Sequence, residues 1–443
     1  MRAAIPTGNI TVPQRALARR EYGTRRPVTP AVQHGRRTLP RRKSSGLPTL
    51  RFRAPFLRSL PPAVTHLAVR DVIPEGVENV KASVCAGIGQ PFETQEVEIA
   101  SPQGREVLVE VRASGLCHSD LHLAQNEFGL LSWPAVLGHE VAGVVSAVGP
   151  DVAEFQPGDH VVACLIQFCG RCSNCLTGRT YQCLIPDAGN RAGSEGPRIF
   201  GEAGPVFQGY GIGGFAEQAL IHENQLVAVP KDLPFSAAAL LGCAVVTGAG
   251  SVINAAKVRV GESVVVIGTG GVGLNAISAA HVSGATRIVA VDVDLEKLEL
   301  ARKFGATDVV HAQASDTVEQ VLAITNGGAD HVFEVIGLAL TQAQSYDMAR
   351  VGGAAYLLGV GKPGTTLELD SSVKVLHRQK SLQGVNMGMT NPKTDIPIYA
   401  ELYRQGRLNL DDLVSQEIGL GDINDAYRDL AKGGIVRSVI TSF

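Results

Sequence analysis

The stretch SVVVIGTGGVGLNAISAAHVSG constrains this chain more than any other. An unbroken β-branched run lacks polar alternation, so it fits a strand covered on both faces. It leads directly into a glycine-rich turn and then a helical pattern. Strand RIVAVD, helix DLEKLELARKFG and strand DVV follow, with further strands at DHVFEVIG and AAYLLGV. Such alternation of strand and helix predicts an α/β fold built on a parallel, doubly wound sheet.

The turn itself, Gly268-Thr269-Gly270-Gly271-Val272-Gly273, fits G-x-G-x-x-G. Its first glycine permits a tight turn and its second lets a pyrophosphate approach the backbone. The third lets helix pack on strand, with the helix N-terminus facing the phosphates. Asp292 ends the next strand, 19 residues beyond Gly273. An acid there can accept hydrogen bonds from the adenosine ribose hydroxyls and repel a 2′-phosphate, which predicts NAD(H) over NADP(H). Lys297 is placed to reach the same ribose. The competing readings are a helix cap for Asp292 and a solvent-facing lysine for Lys297.

Upstream of Gly261 the style differs. VKASVCAGIG, VEIA, EVLVEVRASGLC, VAGVVSAVG, DHVVAC and AEQALIHENQLVAVP read as strands, the third with apolar–polar alternation. A half-buried antiparallel sheet is expected. After Met387 the segments are mixed and end in the strand-like VRSVITSF. The expected divisions are a disordered extension over 1–75, a β-rich part over 76–244 and 387–443, and a dinucleotide-binding part over 245–386.

Residues 1–70 carry 15 basic residues and one acid, Glu21, leaving 25 basic and 41 acidic residues in the remainder. An acidic body argues against a nucleic-acid partner. No apolar run approaches the ~20 residues that span a bilayer, so no membrane partner is expected. The Arg-rich, acid-poor start shares its composition with transit peptides, but prolines recurring from Pro6 to Pro62 would break the amphipathic helix these use. A disordered extension is the preferred reading.

Four of the eight cysteines, Cys169, Cys172, Cys175 and Cys183, lie in FCGRCSNCLTGRTYQC with spacing C-x2-C-x2-C-x7-C. Four thiolates in that span close around one tetrahedral Zn²⁺ and leave no open position, so the site is structural. Such cysteine usage fits a reducing, cytoplasmic setting. Cys117 in GLCHSDLH, His139 in LGHE and Cys243 in LLGCAVVTG offer a second set. Two cysteines and one histidine suit zinc and leave one position for water or an alcohol oxygen. Glu140 could serve as an alternate ligand. Spacing alone leaves open whether these residues meet, because a lone cysteine in an apolar run is usually core.

From residue 77 to 443 the chain resembles the zinc-dependent alcohol dehydrogenases of the medium-chain dehydrogenase/reductase family. The motifs are GLCHSDLH (115–122), GHE (138–140), the four-cysteine lobe (169–183), GCAVVTG (242–248), GTGGVG (268–273), FEVIG (333–337) and IVRSVIT (435–441), in family order. The resemblance implies a GroES-like β-rich catalytic domain beside a Rossmann coenzyme domain, working as a homodimer or homotetramer. It implies two zinc ions per chain, the catalytic one on Cys117, His139 and Cys243, with Asp120 bonded to His139. The implied reaction interconverts primary or aryl alcohols and aldehydes by hydride transfer from a zinc-bound alkoxide to NAD. Ser119 would take the proton and pass it through the cofactor ribose to His122; the alternative for Ser119 is a helix cap. Thr247 would lie beside the nicotinamide, Val360 would contact its carboxamide through backbone atoms, and Arg437 would neutralise the pyrophosphate. The chain departs from many relatives at Gly361-Lys362, where they have prolines, and at His118, where they place Arg against a phosphate.

Two rivals stand beside this reading. S-(hydroxymethyl)glutathione (formaldehyde) dehydrogenases belong to the same family. They usually lack a histidine at the position of His122 and carry an arginine where this chain has Asp187, which is the wrong charge for an anionic thiol adduct. A non-catalytic, zinc-less NAD(P)H-binding relative would not need Cys117, His139 and Cys243. Leu165 and Phe128 are expected to line an apolar substrate channel, and the glycine-rich segment 187–214 to cover its entrance.

Overall fold

The computed structural model describes residues 78–125, 132–313, 316–432 and 436–443. The expected extension over 1–75 and Phe128 lie outside these residues.

Six strands form one all-parallel sheet: Ser263–Ile267, Arg287–Asp292, Asp308–His311, Ala329–Glu334, Ala349–Leu357 and Ser381–Gly384. Numbered along the chain, their spatial order is 3-2-1-4-5-6, the doubly wound arrangement. Val264, Val265 and Val266 are all fully buried, as an unalternating run requires. The sixth strand, SLQG, carries no such run and was not foreseen; it pairs at the sheet edge. The order reverses between Ser263–Ile267 and Ala329–Glu334, which opens a crevice beyond their carboxyl ends. The two loops there are in contact, since a Cβ on Gly268 would stand 2.8 Å from Ile336 Cγ1.

The β-rich part holds a closed barrel of five strands and a seven-stranded sheet. Glu106–Gly115 is the hub of the larger sheet, pairing with Glu140–Val148, Gln218–His222 and Ser438–Ser442. It is buried along most of both faces instead of alternating. The reason is packing: Val107, Val109 and Val111 enter one apolar core while Leu108 enters another. The chain's last strand, Ser438–Ser442, returns to this hub, and the Leu116 N–H donates to the Ser438 carbonyl (2.9 Å). That return brings Arg437 beside the GLCH segment.

The segment 187–214 is not a loose cover. Its Ile199–Gly201 and Gly204–Gln208 strands complete the barrel. Arg191 and Arg198 also converge on buried Glu106, at 2.6 Å and 2.7 Å. Among the described residues, no single helix is long and apolar enough to cross a membrane.

Candidate metal centre and cofactor crevice

Cys117, the adjacent pair His139 and Glu140, and Cys243 come from three separate places in the sequence, and their ligand atoms lie within 4.8 Å of one another. Cys117 precedes the helix His118–Ala124 and His139 precedes the strand Glu140–Val148. Cys243 caps the helix Ala244–Gly250. His139 Nε2 stands 3.3 Å from Cys243 Sγ. All four residues are buried.

The surroundings suit a metal. His139 Nδ1 lies 3.0 Å from Asp120 Oδ1, so that carboxylate holds the ring with Nε2 turned to the sulfurs. The Gly138 N–H donates to the same oxygen (3.0 Å) and fixes the carboxylate in turn. The Cys117 thiol is drawn well down, chiefly by the hydrogen bond from Cys243, so the pair presents a ready thiolate. The charges of Arg437 and His139 act on it in the same direction.

Glu140 faces a competitor. Its Oε1 is 2.9 Å from Arg437 Nη2, both groups being buried. Burial pushes the Glu140 carboxyl up to about 7, against the pull of Arg437. Arg437 also donates from Nη1 to the Leu116 carbonyl (3.1 Å). Its guanidinium then packs on the glycine turn, where a Cβ on Gly271 would stand 3.1 Å from Nη2. One arginine thus joins the metal centre to the dinucleotide crevice.

The crevice fits a pyrophosphate. The helix Gly271–Val282 begins at Gly270 with no side-chain cap, leaving its first N–H groups available. A Cβ on Gly270 would meet nothing within 4 Å, whereas one on Gly273 would strike the Gly268 carbonyl at 1.8 Å. The first is therefore open ground for a phosphate and the second a close packing contact. His118 belongs to the same neighbourhood. Burial lowers its pKa, and the nearby charges of Arg437, His122 and Lys297 lower it further against Cys117.

The other predicted residues fall as follows. Ser119 is inside the helix, not its cap, and its Oγ is 3.6 Å from Cys117 Sγ. His122 lies in the last turn of that helix. Asp292 ends its strand, while Asp294 caps the next helix, accepting from the N–H groups of Glu296 (2.9 Å) and Lys297 (3.3 Å). Lys297 Nζ stands 4.0 Å from Asp294 Oδ2. The Thr247 hydroxyl meets Met387 Sδ at 3.5 Å. Val360 is exposed, with its carbonyl packed at Gly337 of the FEVIG loop. Val272 follows Gly271 in the first turn of the helix. Leu165 is partly buried against core side chains.

Two tyrosines at the centre escaped the sequence reading. The Tyr427 hydroxyl donates to the Cys117 carbonyl (3.3 Å). Tyr210 sets its ring edge-on to His139, with centroids 4.9 Å apart. It holds a left-handed φ of 53°, unusual for a bulky residue and a form of strain that clusters at functional sites. The only hint in the sequence was an aromatic among glycines in QGYGIGG.

The four-cysteine lobe is compact. Sulfur separations are 3.4 Å for Cys172–Cys175 and 4.0 Å for both Cys169–Cys175 and Cys172–Cys183. A tetrahedron with bonds of about 2.3 Å has edges of about 3.8 Å, so one zinc fits and disulfides do not. Backbone N–H groups of Cys169 and Ile185 point at Cys183 Sγ (3.2 and 3.3 Å). The Cys172 thiol is pulled down to about 6 by the N–H groups of Leu184 and Cys175.

Comparisons with known proteins agree with this architecture. Residues 103–231 match the alcohol dehydrogenase GroES-like domain and residues 271–403 the zinc-binding dehydrogenase domain. An NDMA-dependent alcohol dehydrogenase of Amycolatopsis methanolica is 38% identical, over 81% of this chain and 98% of the relative. Alcohol dehydrogenase B of Mycobacterium tuberculosis is 36% identical, over 81% and 97%. The crystal structure of benzyl alcohol dehydrogenase from Acinetobacter calcoaceticus superposes with a TM-score of 0.78 at 37% identity, covering 83% of this chain and all of that one. With its fold, its two ligand clusters and these relatives in agreement, the chain belongs to the zinc-dependent alcohol dehydrogenases of the medium-chain dehydrogenase/reductase family.

Proposed function

We propose that this chain is an NAD-linked alcohol dehydrogenase interconverting primary or aryl alcohols and aldehydes. The observation that carries the reading is the convergence of Cys117, His139 and Cys243, all buried, against an arginine that also touches the glycine turn. Zinc held by these three supplies Lewis-acid polarisation of an alcohol or carbonyl oxygen, and a bound nicotinamide supplies the hydride acceptor.

The chain's own residues do the rest. Asp120 fixes the His139 tautomer. Arg437 restrains Glu140 and offers positive charge to a pyrophosphate at Gly270 and Gly271. Burial of the ligand set excludes water and strengthens each interaction inside it. The Ser119 hydroxyl, next to Cys117, receives the proton from the substrate hydroxyl; His122, three residues along the helix, delivers it to solvent. Tyr210 supplies an aromatic wall beside His139 that suits planar substrates. Cys169, Cys172, Cys175 and Cys183 hold a second, structural zinc.

The test combines metal analysis with a panel of alcohols and aldehydes, using NAD⁺ or NDMA as oxidant, with and without added glutathione. We expect about two zinc per chain and benzyl alcohol oxidation with NAD⁺ that glutathione does not change. Formaldehyde oxidation only with glutathione would select the S-(hydroxymethyl)glutathione dehydrogenase reading. Turnover with NDMA alone would remove the free-NAD reading. NADH binding without zinc or turnover would make the chain a binding protein.

A further inference from the structure

Asp292, the acid expected to read the adenosine ribose, is not a free carboxylate. Its Oδ2 accepts both the N–H (2.7 Å) and the hydroxyl (2.9 Å) of Thr269. Its Oδ1 accepts the Asp294 N–H (3.0 Å). An ionised carboxylate offers about four acceptor positions. Three are therefore filled from within the protein, and the remaining one lies on Oδ1. Thr269 is fully buried at the second position of the glycine turn, where the motif asks for nothing in particular. Any residue but proline would supply the N–H; the hydroxyl adds the second bond.

We propose that Thr269 is a positioning residue that sets dinucleotide specificity. By taking Oδ2 with two donors it stops the carboxylate from rotating about its last bond. Oδ1 is then presented to the ribose with one acceptor site, enough for one hydroxyl. A 2′-phosphate meets a negative oxygen that cannot turn away. This inference rests on Asp292 reading an unphosphorylated ribose, as the proposed NAD-linked function requires.

The experiment is equilibrium binding of free NADH and NADPH to the purified full chain, followed by nicotinamide fluorescence, with thermal midpoints recorded alongside. The variants are Thr269→Val, Thr269→Ala and Thr269→Ser. Wild type should prefer NADH. Removing the hydroxyl should weaken NADH about 3–10-fold while leaving NADPH unchanged or tighter, so that the preference falls about tenfold. Thr269→Ser should keep the wild-type ratio within about twofold. Thr269→Ala carries the same expectation as Thr269→Val with less bulk, should valine fail to fold. An unchanged ratio in the folded hydroxyl-free variants, or a serine variant as altered as valine, overturns the role of Thr269 and leaves the NAD reading intact. Wild type binding NADPH as tightly as NADH overturns both.

Discussion

In the lobe, four sulfurs come from residues 169–183, three of them on partly exposed residues. At the buried centre, two sulfurs and an imidazole come from residues 117, 139 and 243, each delivered by a different element. The lobe's sulfurs accept hydrogen bonds from the lobe's own backbone N–H groups. The centre instead recruits Asp120, Arg437, which the return of the final strand to Glu106–Gly115 places there, and Tyr427, whose ring stacks on Phe92. A cluster drawn from one short segment can therefore be written locally, whereas a cluster drawn from distant residues depends on the whole fold. Damage to the two clusters should therefore reach turnover to different extents.

The largest effect should follow Cys117→Ala. Losing one of three protein ligands removes a charge stabilisation worth several kcal/mol, so kcat/KM for benzyl alcohol should fall about 10³-fold or more. Zinc should drop from about two per chain to about one, with NADH binding kept. Unchanged turnover would break the distinction between the clusters at once. Next comes Asp120→Asn, which leaves the ligands in place and spoils only the orientation of His139. An orienting carboxylate of this kind is worth about 10–100-fold in metal affinity or activity. Competition with a chelator, read beside kcat/KM, separates the two.

Tyr210→Leu should have a smaller and selective effect. The ring edge against His139 offers an aromatic substrate a packing partner that leucine lacks, worth about 1 kcal/mol. The ratio of kcat/KM for benzyl alcohol to that for ethanol should fall about 5-fold, with NADH affinity unaltered. An equal fall for both alcohols would mean that Tyr210 supports the metal ligand and does not select the substrate.

These residues also show how much could be read in advance. The parallel sheet was legible because Ser263–Ile267 and Arg287–Asp292 carry unalternating apolar runs between helix patterns. The lobe was legible because its geometry is local. The identities of Cys117, His139 and Cys243 were legible from their motifs, yet their meeting was not, since the pairing of Glu106–Gly115 with Glu140–Val148, which sets Gly115 opposite Glu140, has no short-range signal. Tyr210 was missed because its position depends on a left-handed backbone next to a barrel strand. The alternation in EVLVEVRASG misled because a strand between two cores buries both faces. The bonds that occupy Asp292 have no signal in the sequence, because its partner, Thr269, fills the unspecified position of the glycine motif.

The smallest effect on turnover should come from Cys172→Ala, and it tests the other half of the comparison. Removing one thiolate from a closed four-sulfur site leaves the metal poorly held, and zinc should again fall from about two per chain to about one. Here the consequence is for folding, because binding energy at a site of this kind is folding energy. We expect the thermal midpoint to fall by about 5 °C or more. In the folded fraction, kcat/KM per remaining zinc should stay within about twofold of wild type. The lobe's sulfurs share no hydrogen bond with Cys117, His139 or Cys243 among the described residues. One hydrogen-bonded tie to the dinucleotide side runs through Thr180, whose hydroxyl donates to the Thr390 carbonyl (3.2 Å) while the Thr390 hydroxyl donates to the Val246 carbonyl (3.2 Å). Val246 adjoins Thr247. A loss of turnover matching that of Cys117→Ala, at an unchanged thermal midpoint, would show that this chain of bonds transmits the lobe's state to the reacting site and that the two clusters do not act separately.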